Sequence, residues 1–184
     1  MAVKTFTTGE VLTAADTNTY LANSGLVHVK SQTIGTAVSS VTVTNAFNST
    51  YDNYFVQVFG GTGSSAQAMA VTLGATTTGY YGNLVYWSWT SATTNVANQA
   101  NASNWGFVGV SSTNVNSMSF ELQGPNLAKM TVIRSLGYVH VGTSGEMGIY
   151  SGFLNNTTQY TDLKITVGNT MTGGTIDIYG YRKG

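Results

Sequence analysis

The chain has 184 residues and no cysteine, and its seven basic residues balance seven acidic ones to a formal net charge of zero. This length suffices for one domain with its own core, and without cysteine neither disulfides nor thiolate metal sites are possible. Charged residues make up only 8% of the chain, compared with about 25% in an average protein, and the lack of net positive charge argues against binding to nucleic acid or to an anionic membrane.

Residues 1–25 are expected to form an arm that contains a short helix. Thr13 can cap the first turn, and Asp16 follows three residues later in a capping-box pattern, while Asn23 and Gly25 supply a stop. Three apolar residues of this arm are candidate contacts for docking or oligomer formation: Leu12, Tyr20 and Leu21. The alternative is a helix that packs against its own domain.

From Leu26 onward the apolar pattern changes to a period of two, with about a dozen short strand candidates separated by Gly, Ser, Thr and Asn. The first of them is predicted to place His28 and Ser31 on opposite faces. The longest interval, residues 90–104, is interpreted as a loop. This spacing predicts a mainly β fold for residues 26–184, an antiparallel β-sandwich of jelly-roll type.

The segment "GYYGNLVYWSWT" at 79–90 is the densest aromatic cluster of the chain. Val85, Trp87 and Trp89 share one face of the predicted strand, which favours a role in the core. Three tyrosines are candidates for a surface that binds a receptor or partner, because tyrosine combines apolar area with a polar group: Tyr80, Tyr81 and Tyr86.

The sequence offers little catalytic chemistry. His28 and His140 each lie between valines, no other histidine lies at metal-ligand spacing, and no carboxylate is close to either in sequence. The acidic residues lie in turn-like or outward positions, which favours structural roles over a glycosidase pair. We therefore expect no catalytic, metal or cofactor site.

Three segments carry a resemblance: "FTTGEVLTAADTNTYL" at 6–21, "FNSTYDNYFV" at 47–56 and "IDIYGYRKG" at 176–184. Together they resemble small virion structural proteins of tailed bacteriophages, described as tail-fibre or minor structural proteins. The resemblance implies a non-enzymatic virion component whose N-terminal arm docks onto a virion scaffold. It also implies synthesis in the bacterial cytoplasm. The absence of a signal peptide and of a membrane-spanning run separately predicts a soluble intracellular product.

Three functions remain open at this point. The first is a tail-fibre or receptor-binding component that contacts host surface glycans. The second is a capsid decoration protein that clamps neighbouring capsid subunits, and the third is a stand-alone domain that binds or hydrolyses carbohydrate. Low charge and abundant tyrosine suit surfaces that are buried against other copies, so we expect a homo-oligomer, in the form of a trimer.

Overall fold

A computed structural model describes residues 5–17, 25–91, 93–140 and 145–183 of the chain. Within these ranges the fold is almost entirely antiparallel β, as the alternating pattern predicts. The described elements are α1 (Ala14–Asp16), β1 (Leu26–Thr33), β2 (Val38–Val43), β3 (Asn53–Gly60), β4 (Thr62–Gly63), β5 (Gln67–Leu73), β6 (Tyr80–Ser88), β7 (Thr94–Ala102), β8 (Trp105–Ser111), β9 (Asn116–Gln123), β10 (Thr131–His140), β11 (Glu146–Leu154), β12 (Leu163–Thr172) and β13 (Thr175–Tyr181).

The helix α1 begins with the predicted capping box. The backbone N–H of Asp16 donates to Oγ1 of Thr13 at 3.1 Å, and the backbone N–H of Thr13 donates to Oδ2 of Asp16, also at 3.1 Å. Two otherwise unsatisfied donors of the first turn are thereby paired. The predicted helix stop at Asn23, like Tyr20 and Leu21, lies outside the described residues.

Strand β9 joins the two parts of the sheet. One edge of β9 pairs with β3 along its whole length, whereas the other edge pairs with β8 near its start and with β10 near its end. One part therefore runs in the order β1-β13-β3-β9-β10-β11-β6-β7, and the other runs β2-β12-β5-β8. The apolar inner faces of these strands form the buried core.

Trp105 on β8 connects the two parts through the core. Its indole is fully buried and meets the ring of Tyr80 edge-on, with centroids 5.0 Å apart. Its Nε1–H donates to the backbone carbonyl of Phe153 on β11 at 3.3 Å. Strand β8 thus covers the inner face of β6 and β11, which decides which side of those strands faces solvent.

The prediction of a loop at residues 90–104 is wrong, because most of this segment forms strand β7. It pairs with β6 from Trp87↔Thr94 to Tyr80↔Ala102. The segment is rich in Asn and lacks regular apolar alternation, yet a strand at the rim of a sheet has solvent on one edge and tolerates polar side chains. Pairing with β6 supplies the backbone hydrogen bonds that the local sequence does not indicate.

Candidate functional site

The aromatic segment singled out in the sequence lies on β6, whose residues alternate between the core and solvent. Tyr80 points inward and is fully buried. Its hydroxyl accepts a hydrogen bond from the backbone N–H of Leu73 at 2.8 Å, and burial raises its pKa to about 12. The prediction that Tyr80 belongs to an exposed binding surface is therefore wrong.

The two other candidate tyrosines lie on opposite faces of β6. Tyr86 is on the inner face with Tyr80 and packs, half-buried, against the core. Tyr81 is on the outer face, where it is also half-buried. The three tyrosines consequently form no single surface, because side chains alternate between the two faces of a strand.

The prediction that Val85, Trp87 and Trp89 form a core ladder is also wrong. They share the outer face, as their spacing indicates, but their exposed fractions are 42%, 37% and 52%. Both faces of β6 carry apolar residues, so the sequence pattern alone does not identify the buried one. Strand β8 packs on the face that carries Tyr80 and Leu84, which leaves the opposite face to solvent.

A cleft of about 550 Å³ lies at the end of β6 that carries Tyr81. We name it the amide cleft, and its lining residues are Tyr81, Gly82, Asn83, Asn98, Gln99, Met130, Val132, Ser151, Gly152 and Phe153. None of these ten residues carries a formal charge. The cleft is therefore suited to a neutral, polar ligand.

Aromatic and amide groups meet in the amide cleft. The rings of Tyr81 and Phe153 are stacked, with centroids 5.0 Å apart and planes inclined by 9°. Asn83 and Asn98 are cross-strand partners on β6 and β7, and both are exposed. Each amide offers donors and acceptors, so the cleft combines ring surface with hydrogen-bonding groups.

Gln99 lines the amide cleft, and its side chain is hydrogen-bonded to three neighbouring residues. Its Oε1 accepts from the hydroxyl of Tyr150 at 2.9 Å and from the backbone N–H of Gly106 at 2.8 Å, and its amide nitrogen donates to the carbonyl of Asn104. Burial raises the pKa of Tyr150, so its hydroxyl stays protonated as a donor. The hydrogen bond from the buried Tyr150 therefore connects the cleft to the core.

At the other end of the same strands, seven large apolar side chains are exposed on the outer side of the sheet. We name this group the apolar face, and its members are Val85, Trp87, Trp89, Val96, Leu136, Met147 and Ile149. Register places them together, since Val85 is opposite both Val96 and Ile149, and Trp87 is opposite Met147. Leu136 adjoins them on β10, immediately after the pair Ser135↔Tyr150.

On the far half of the same sheet, β1 and β13 carry a chain of polar groups. The hydroxyl of Ser31 donates to Oδ1 of Asp177 at 2.5 Å and lies 2.8 Å from Nε2 of His28. The predicted separation of His28 from Ser31 is wrong, because the register shifts between His28 and Lys30. The serine stands between the histidine and the carboxylate, whereas in a Ser-His-Asp triad the histidine is in the middle. Among the described residues there is no cluster of three or more His, Asp or Glu that could hold a metal.

Ionised groups are concentrated on that same far half. The Tyr181 hydroxyl donates to Oε1 of Glu121 at 2.6 Å, and this hydrogen bond, with some burial, raises the pKa of Tyr181 to about 12. Lys183 pairs with Asp52 at 2.8 Å. The amide cleft and the apolar face lie on the other half, and none of their own residues is charged. That half also carries Arg134 on β10, opposite Ser151 of the cleft, and Glu146 on β11.

The described part of the arm adds nothing to the core. Leu12 is 50% exposed, Val11 is 77% exposed, and α1 has no buried residue. The role of Leu12 in docking stays a prediction, and Tyr20 and Leu21 lie outside the described residues.

Comparison of the chain with protein-family models, with curated protein sequences and with solved structures found no match. None of the helices in the described residues is long and apolar enough to span a membrane.

Proposed function

We propose that the chain is a non-enzymatic structural protein of a tailed-bacteriophage virion, in which it serves as a tail-fibre or receptor-binding component. The observation that carries the receptor role is the amide cleft on the outer sheet face, whose ten lining residues are uncharged. The resemblance of residues 6–21, 47–56 and 176–184 to phage virion proteins supplies the virion context. In this role the chain assembles as a homo-oligomer, a trimer, and its arm docks on the virion through residues that include Leu12.

The ligand proposed for the amide cleft is a neutral glycan on the host surface. A sugar presents an apolar ring face and several hydroxyls, and the cleft offers the stacked pair Tyr81 and Phe153 beside the amides of Asn83 and Asn98. Aromatic rings supply apolar contact area, while amides both donate to and accept from hydroxyls. The uncharged lining favours a neutral saccharide over an acidic one.

Removing both exposed amides of the cleft is expected to weaken glycan binding. The double variant Asn83→Ala with Asn98→Ala loses at least two hydrogen bonds of about 1 kcal/mol each, so its affinity for polysaccharide extracted from the host bacterium should fall about 30-fold. Isothermal titration calorimetry of the purified chain measures this change.

The matched control is Asn95→Ala, which removes an exposed amide from β7 outside the cleft. Its affinity should equal that of the wild type. If the wild-type chain does not bind the polysaccharide, or if Asn95→Ala weakens binding as much as the double variant does, the proposed role of the cleft is wrong.

Capsid decoration is the second candidate function. The specific observation in its favour is the exposure of Val11 and Leu12, since apolar residues presented away from the domain suit a clamp between neighbouring subunits.

Copy number distinguishes the two virion positions. Quantitative mass spectrometry of purified particles, calibrated on the major capsid protein, is expected to find a number of copies far below that of the capsid protein. That result agrees with a tail component, because tails carry few copies of each fibre. A number comparable to that of the capsid protein would instead indicate a decoration protein and overturn the tail position.

A further inference from the structure

We propose that the apolar face is covered by the same face of the neighbouring copies of this chain in the trimer. The inference rests on the homo-oligomer of the proposed function and adds the surface through which the copies meet. The seven side chains lie on β6, β7, β10 and β11 and, for Trp89, just after the end of β6. In the described structure Trp89 contacts Gly145, and each of the seven is still at least 37% exposed.

The size of the apolar face is the first argument. Its side chains are between 37% and 78% exposed. Together they present roughly 600 Å² of accessible area, which is as large as the largest apolar patch on a typical monomer. A standard interface buries about 800 Å² on each partner, of which the centre is apolar and the rim polar. The apolar face therefore has the size of an interface centre, and the surrounding Asn and Thr side chains can supply the rim.

Trp87 and Trp89 give this face the composition of an interface centre. Tryptophan is enriched among the residues that dominate binding energies. The indole of Trp89 lies against Gly145, where a side chain at position 145 would come within 1.8 Å of its six-membered ring. This contact limits the freedom of the indole before any partner arrives, which lowers the entropic cost of association.

Charge is the argument for a copy rather than a foreign partner. None of the seven side chains is charged, so a partner needs no complementary charge. The same apolar face on another copy therefore fits it. The whole chain has a formal net charge of zero, so two copies approach without net electrostatic repulsion.

The last argument is strand β7, which carries Val96 of the apolar face. In the described structure β7 pairs only with β6, and its nine residues, TNVANQANA, contain no charge and no proline. Proteins that stay monomeric protect such edges with lysine, proline or bulges that prevent pairing between copies. Strand β7 has a bulge only near its Ala102 end, between the pairs Gly82↔Gln99 and Tyr80↔Ala102. The regular part that carries Val96 has neither lysine nor proline, as expected where other copies cover that region.

Self-association through this face would also bring binding sites together. The amide cleft and the apolar face lie on the same strands, and Tyr81 and Trp87 are about 20 Å apart at the rise of a β-strand. Copies joined at the apolar face therefore present their clefts close to one another, and linked sites bind a repeating polymer more tightly than single sites.

The test is the mass of the purified chain in solution, measured by sedimentation equilibrium from about 1 to 100 µM, a range suited to micromolar association. The wild type is expected to form a trimer in which the apolar faces meet around a three-fold axis. Val96→Lys and Ile149→Lys place a charge at the centre of the contact and should each weaken association at least tenfold. Both positions are exposed, and circular dichroism verifies that the variants are folded. A dimer that both face variants weaken would keep this contact and overturn the trimer of the proposed function.

The matched control is Phe59→Lys. Phe59 is 67% exposed on β3, against 66% for Val96 on β7, and it lies outside the apolar face. This variant should associate like the wild type. The inference is wrong if the wild type stays monomeric at 100 µM, if both face variants associate normally, or if Phe59→Lys weakens association equally. Because the assay contains no glycan and no virion, a chain that self-associates but fails to bind polysaccharide would overturn the receptor role alone.

Discussion

Replacing Trp105 by alanine is expected to lower the free energy of unfolding by about 3–5 kcal/mol, the usual cost of removing a large buried aromatic side chain. The indole is fully buried, packs edge-on against Tyr80 and donates to the carbonyl of Phe153. Its removal therefore leaves a cavity between the two parts of the sheet and removes the hydrogen bond to Phe153. Chemical denaturation followed by circular dichroism measures the change.

The other two tryptophans provide matched controls for this substitution. Trp87→Ala and Trp89→Ala remove the same kind of side chain from the exposed face, so each should cost at most about 1 kcal/mol. The measurement is made at low protein concentration, so that self-association does not add to the apparent stability. If Trp87→Ala or Trp89→Ala costs as much as Trp105→Ala, then β6 is buried on the face opposite to the one described here.

Replacing Gly61 by alanine is expected to destabilise the fold by at least about 3 kcal/mol, because a steric clash adds to backbone strain. Gly61 has a φ of +65°, and a Cβ at this position would lie 2.0 Å from the carbonyl oxygen of Gly173 and 2.5 Å from that of Thr172. Both contacts are with backbone atoms, so no change of rotamer relieves them. The turn after β3 and the turn between β12 and β13 would have to separate.

Gly60→Ala is the control for Gly61→Ala. Gly60 also has a positive φ, +81°, but the nearest atom to its added Cβ is the Cα of Gly174 at 3.5 Å, an ordinary contact. Only the strain of the positive φ remains, so Gly60→Ala is expected to lower the free energy of unfolding by about 1 kcal/mol. Urea denaturation of the two variants separates the effects, and equal losses of stability would show that the approach of the two turns is not the cause.

The capping box and the β content could be predicted from the sequence because both depend on local patterns. Thr13 and Asp16 are three residues apart, so their reciprocal hydrogen bonds form within one turn of helix. The strand β7 could not be predicted in this way. Its pairing with β6 is a tertiary contact, and its Asn and Gln side chains resemble those of a loop.

The division of the candidate tyrosines between the two faces of β6 follows from their spacing in the sequence. Tyr80 and Tyr86 are an even number of residues apart, so they share a face of β6, while Tyr81 must lie on the other face. The spacing alone therefore separates Tyr81 from the two other tyrosines. The partners of Tyr81 in the amide cleft could not be found, because Asn98 and Phe153 are brought beside it only by strand pairing.

By itself, the sequence determined the mainly β fold, the capped start of the arm and the two sets of side chains on β6. Only the tertiary structure decided which set is buried. One face carries the apolar Leu84 and the other carries the apolar Val85 and Trp87, so either face could have joined the core. Strand β8 brings Trp105 against Tyr80 and so buries the inner set. The outer set is left as an apolar surface, because a sheet face becomes part of the core only where another layer packs on it.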